Sequence, residues 1–68
     1  MNENLIREIA GEILEAADTL RSKEELNSVE QGQMIAYAET LCIMQDALSG
    51  YDLAEYGLDF DVDKKYLL

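Results

Sequence analysis

Three aspartates alternate near the end of the chain, Asp59, Asp61 and Asp63, with the spacing that opens a calcium loop. Such a loop takes oxygen ligands at its first, third and fifth positions, glycine at the sixth and a bidentate glutamate at the twelfth. Here the sixth position is Lys64 and the sequence stops before a twelfth, so the oxygen cage is incomplete. The trio reads as a solvated acidic edge. Glu8, Glu12 and Glu15 bring to mind carboxylate ligation in a metal-binding bundle, which needs inward-facing acids and a Glu-x-x-His pair. The chain has no histidine, and these glutamates fall on the side of their helix away from its apolar residues. Glu39, flanked by Ala38 and Leu41, is a lone acid and makes no site. Cys42 is the single cysteine. As a nucleophile it would need an adjacent base or a positive field, and its helix supplies neither, so it is expected to pack in the core. Phosphate-cradling loops, zinc-ligand spacings, catalytic triads and basic-aromatic patches do not occur. The expected catalytic, metal and cofactor sets are empty, and the protein is expected to be no enzyme.

The elements that carry these residues follow from apolar spacing. A first helix is expected from about Glu3 to Arg21, with Ile6, Ile9, Ile13, Ala16 and Leu20 spaced three, four, three and four. That is a seam, and Leu5, Ala10, Leu14 and Ala17 widen it into a bundle-type face. Glu3 stands four residues before Arg7, the favourable order for a helical ion pair. A polar connection, residues 22–27, tucks Leu26 beneath the turn. Asn27 or Ser28 then caps a second helix, since both Asn27 with Glu30 and Ser28 with Gln31 have capping-box form.

The second helix runs to about Leu48, with Met34, Tyr37, Leu41, Met44 and Leu48 repeating the seam spacing and Ile35, Ala38 and Cys42 beside it. Met34, Tyr37 and Met44 also have the chemistry of an adaptable docking surface, although their positions point first to core. Ser49-Gly50 is a stop signal, Gly50 suiting a left-handed position. Two helices of about 30 Å joined by a short loop make an antiparallel hairpin. The fold class is therefore all-α: a hairpin over residues 1–50 and a C-terminal segment, 51–68. In that segment residues 51–56 form a short turn ended by Gly57. Leu58, Phe60 and Val62 then alternate with the aspartates as an extended tail with one apolar side. The tail is expected to lie across the hairpin, on its own core or a neighbour's.

Composition limits partners. Fifteen acidic residues against five basic ones leave a net charge of −10 on 68 residues. Phosphate binding requires Lys and Arg, so direct nucleic-acid binding and anionic membranes are not expected, while basic protein partners are favoured. No apolar run reaches the roughly 20 residues of a membrane span. The start, Met1-Asn2-Glu3-Asn4, lacks the basic region of a signal peptide, and one unpaired cysteine suits a reducing cytoplasm. A core this small is marginal for a monomer. With disulfides and zinc absent as staples, self-association into a homodimeric four-helix bundle is the expected remedy.

The second half of the chain resembles a group of very small acidic proteins carried by phages and integrative elements of Gram-positive bacteria. The likeness rests on Ala36-Tyr37-Ala38-Glu39-Thr40-Leu41 and on Leu53-Ala54-Glu55-Tyr56-Gly57-Leu58-Asp59-Phe60-Asp61. Such proteins have no assigned activity, so the resemblance implies a setting on mobile DNA and no functional residues. The sequence leads to a non-enzymatic interaction module. Its seam is Ile6, Ile9, Ile13, Leu20, Met34, Tyr37, Leu41, Met44 and Leu48, and its acidic partner surface is Glu8, Glu12, Glu15, Asp59, Asp61 and Asp63. The alternative is an inhibitor imitating nucleic acid, of anti-restriction or anti-CRISPR type, that fills a basic cleft.

Overall fold

Acidic and basic residues sit at the ends of the first helix that its dipole favours, Glu3 in the first turn and Arg21 in the last. In the computed structural model, which describes residues 3–67, this helix is α1, Glu3–Arg21. The second, α2, is Ser28–Ala47. Asn27 is its cap: the Asn27 side chain accepts from the Glu30 N–H at 2.8 Å, and the Glu30 carboxylate accepts from the Asn27 N–H at 3.1 Å. The reciprocal bonds satisfy two donors that the helix start would otherwise leave open. Leu26 is half-buried against the core, as the apolar residue under the turn. After α2 the chain turns through Gly50, at φ +92°. No strand occurs among the described residues, and no described helix is long and apolar enough to cross a membrane.

A single 3₁₀ turn, Leu53–Tyr56, follows the hairpin. Asp52 caps it by accepting from the Ala54 N–H, and Gly57 ends it at φ +72°, in the left-handed region. A Cβ on Gly57 would meet Leu14 Cδ1 at 3.6 Å, an ordinary contact, so glycine is required there by the backbone and not by crowding. Beyond it the chain departs from the expectation of an extended tail. Leu58 to Asp61 are non-helical, and a short helix, α3, then spans Val62–Tyr66. Asp61 caps it by accepting from the Lys64 N–H. The alternation breaks at Val62 because the next buried residue is Tyr66, four positions on, which is helical spacing. The burial alternation itself holds: Leu58 and Val62 are buried, Phe60 is half-buried, and the three aspartates are exposed.

This C-terminal segment packs on its own hairpin. Tyr56, Leu58, Val62 and Tyr66 join Ala10, Ala17, Leu20, Met34, Ala38, Leu41 and Leu48 in one core, with Leu41 and Leu58 its largest fully buried side chains. Polar bonds fix the layer. The Gln45 amide donates to the carbonyls of Leu58 and Phe60, both at 2.9 Å. Arg7 donates to the Glu55 carbonyl at 3.0 Å and pairs with its carboxylate at 3.6 Å, while its guanidinium lies over the Tyr56 ring at 5.5 Å. Within α1, Arg7 donates to the Asn4 side chain at 3.0 Å, and its ion pair is with Glu55 of the tail rather than with the expected Glu3. Arg21 donates to the Lys65 carbonyl at 2.9 Å.

α1 packs against both α2 and the 3₁₀ turn, and Ala10 and Ala17 on it are fully buried. Ile9, expected in the seam, is 41% exposed. Ile6 and Ile13 are half-buried against the core, Leu20 is buried, and Leu14 becomes a core neighbour.

Candidate interaction surfaces

Charge on this molecule is distributed very unevenly between acids that have a partner and acids that do not. Of its five basic residues, four are engaged within the chain among the described residues: Arg7 with Glu55, Arg21 with the Lys65 carbonyl, Lys23 with Glu30, and Lys65 with Asp18 at 3.5 Å. Only Asp18, Glu30 and Glu55 of the fifteen acids join an ion pair among the described residues. The Lys23 ammonium first, and then the Asn27 N–H, hold the Glu30 carboxyl below its ordinary range. The remaining acids are exposed; Asp52 and Asp61 among them accept a backbone N–H as caps.

The six acids expected to meet a partner are all exposed, and they form two groups. Glu12 and Glu15 edge a shallow depression between α1 and α2 that also holds Leu20, Lys23 and Tyr37, and Glu8 continues their row one turn earlier. Asp59, Asp61 and Asp63 edge a separate groove between α2 and the tail, with Cys42, Gln45 and Asp46. Among the described residues no three acidic, cysteine or histidine side chains are arranged to hold a metal ion. Asp61 is occupied in capping α3. Cys42 is half-buried and packs beside the core. Burial pushes its thiol up, and the nearby charges of Asp63, Asp46, Asp61 and Glu39 push it the same way, so the thiolate a nucleophile needs is disfavoured.

The predicted seam is split. Met34, Leu41 and Leu48 are buried, whereas Tyr37 and Met44 are half-buried. At the end formed by the start of α1 and the finish of α2, Ile6, Ile9, Met44, Ala47 and Leu48 line an apolar cleft of about 400 Å³, with Tyr51 and Tyr56 of the C-terminal segment as a further wall and Glu3 also lining it.

A further apolar feature has no counterpart in the seam reading. On α2, Val29, Ala36 and Ile43 recur every seven residues, two helical turns, and share a side with Gly32, Thr40 and Ala47. All six are exposed, Val29 at 69% and Ile43 at 66%. This side is opposite the buried Met34, Ala38 and Leu41, and α2 is therefore apolar on both its inward and its outward face. The signal was present in the sequence as the seven-residue repeat and as the scarcity of charge on α2, whose only charged residues are Glu30, Glu39 and Asp46. The stronger seam concealed it. Comparison with family models, with curated proteins and with solved structures returned no match.

Proposed function

We propose that the protein is a non-catalytic interaction module that presents an uncompensated acidic surface to a basic protein partner and works as a homodimer with four long helices. The observation that carries this reading is the use of the basic residues. Four of five are engaged inside the chain, which leaves twelve acids outside any ion pair among the described residues. A protein shaped only for solubility has no need to tie its cations to its own tail. Carboxylates left in this state attract a positively charged surface over about a Debye length, some 8–10 Å at physiological salt. The reducing cytoplasm is the compartment that suits the free, half-buried Cys42 thiol. The resemblance of the second half of the chain supports an accessory role on mobile DNA.

A second reading has one observation in its favour. Glu8, Glu12 and Glu15 form an exposed row along α1, at intervals of roughly 4.5–6 Å by the helical rise. Such a row is able to stand in for phosphates in a cleft built to hold nucleic acid.

One experiment separates the readings. The protein is immobilised beside a triple variant, Glu8→Gln, Glu12→Gln and Glu15→Gln, and both are exposed to host lysate at low salt. A basic partner is retained by the wild type and released as salt rises. If duplex DNA competes for the same partner and the triple variant no longer captures it, the α1 row is the mimic. Retention that is indifferent to salt, on a partner without basic surface, overturns both readings.

A further inference from the structure

A chain of net charge −10 repels its own copies over most of its surface, and the exception is instructive. The outward face of α2 carries Val29, Gly32, Ala36, Thr40, Ile43 and Ala47 without a charge among them. Glu39 and Asp46 stand to one side of it, also seven residues apart, and Glu30 is already bound to Lys23. Val29 and Ile43 contribute nothing to the chain's own core, being about two-thirds exposed. Neither the tail nor α1 covers them.

We infer that the outward face of α2, anchored by Val29 and Ile43, is where a second copy of this chain docks. The inference rests on the homodimer reading above and assigns its interface. A basic partner gains nothing on an uncharged face and finds its attraction at the carboxylates. A second copy meets the least like-charge repulsion on this side, and it brings an equally apolar face for burial. A C2 interface uses one patch twice, so a self-complementary apolar helix is the surface it requires. The area of the face sets the strength of the contact: α2 is 20 residues, about 30 Å long by about 10 Å wide, so its outward face offers on the order of 300 Å² per copy, less than the roughly 800 Å² per partner of a standard interface. The dimer is therefore weak and dissociates on dilution.

Sedimentation equilibrium of the full chain across micromolar to millimolar concentration tests this. The wild type is expected to move from its 7.7 kDa monomer mass towards twice that value. Ile43→Glu and Ala36→Glu should raise the dissociation constant by about tenfold or more, with helical circular dichroism unchanged because neither side chain touches the core. Ile43→Lys makes the chain less negative and should dissociate it as well, which separates loss of the face from general repulsion. Ile9→Glu, on the α1 wall of the apolar cleft, should leave the dimer intact. A wild type that stays monomeric throughout overturns both the homodimer and this interface. A dimer that survives both Ile43 variants, or that Ile9→Glu alone dissolves, overturns only the assignment to α2.

Discussion

The Tyr66 hydroxyl donates to the Asp18 carboxylate at 2.7 Å, across 48 positions of sequence, and closes α3 onto the last turns of α1. Lys65 approaches the same carboxylate from the neighbouring position, and its ammonium also lies 4.9 Å from the Phe60 ring centre. Phe60 and Tyr66 meet edge to face at 6.1 Å. A buried ring, a charge-assisted bond and an aromatic pair thus converge on one residue.

Replacing Tyr66 tests how much of the fold this closure holds. Tyr66→Phe removes only the bond to Asp18 and should cost about 1–2 kcal/mol. Tyr66→Ala also empties the ring's place in the core and should cost about 3 kcal/mol or more. Urea unfolding followed by circular dichroism measures both. Equal losses for the two variants would mean that the ring contributes nothing.

Alkaline pH should act through the same group. Burial first, and then the bond to Asp18, hold the Tyr66 phenol well above its usual value of 10.0. The folded chain therefore keeps a proton that the unfolded chain gives up. The resulting stability is complete below about pH 10 and falls as pH rises beyond it. Unfolding the wild type and Tyr66→Phe in parallel should show a stability gap that is constant from pH 7 to 9 and narrows above about pH 10.

Glu30 should respond at the opposite end of the scale. Its carboxyl is held low by Lys23 and by the Asn27 N–H, so its contribution is present above its ordinary 4.5 and is lost as pH falls through the lowered value. Glu30→Gln should be less stable than the wild type at neutral pH, and the two should converge in acid. Asn27→Ala removes the other half of the capping box and should cost about 1 kcal/mol. A gap between wild type and Glu30→Gln that persists unchanged into acid would contradict the ion pair.

Gln45 gives a sharper contrast. Its amide donates to two carbonyls, and Gln45→Glu would set a carboxylate against both. That variant should lose about 2–3 kcal/mol at neutral pH, from two part-buried acceptors left unpaired and one repelled charge. Gln45→Met, of similar volume, should lose less. Hydrogen exchange should localise the effect to amides of residues 58–66.

Backbone conformation sets the sign of the glycine substitutions. Gly57→Ala should cost about 1–2 kcal/mol, because φ is +72°. Gly32→Ala should gain about 0.5–1 kcal/mol, since Gly32 is mid-helix with nothing within 4 Å of a Cβ. Thermal unfolding of the two variants should shift in opposite directions.

The helices, a capped start at Asn27 or Ser28 and the glycine-ended turn were legible in the sequence because each is local, while the choice of Asn27 came from the structure. Seam spacing, the Asn27–Glu30 pair and the punctuation at Gly50 and Gly57 act within a few residues. What escaped was set by the third layer. The alternation of Leu58, Phe60 and Val62 announces an apolar side, but it does not say that Asp61 will start a helix or that Tyr66 will find Asp18. Nor does it say that Ala10 and Ala17 are fully buried while Ile9 stays outside. The acidic residues were readable as exposed, while their division between the α1 row and the groove near Cys42 depends on where the tail lies. The outward face of α2 is hard to read from sequence because a helix apolar on two sides shows weak periodicity, and the stripe through Met34, Leu41 and Leu48 dominates it.

The bonds from Arg7 to Glu55, Arg21 to the Lys65 carbonyl and Asp18 to Tyr66 join positions 44 to 48 apart. A ribosome that has made both long helices has therefore not yet made the residues that seal them. A hairpin lacking residues 51–66 would leave Leu41 and Leu48 without Tyr56, Leu58, Val62 and Tyr66 in their shared core.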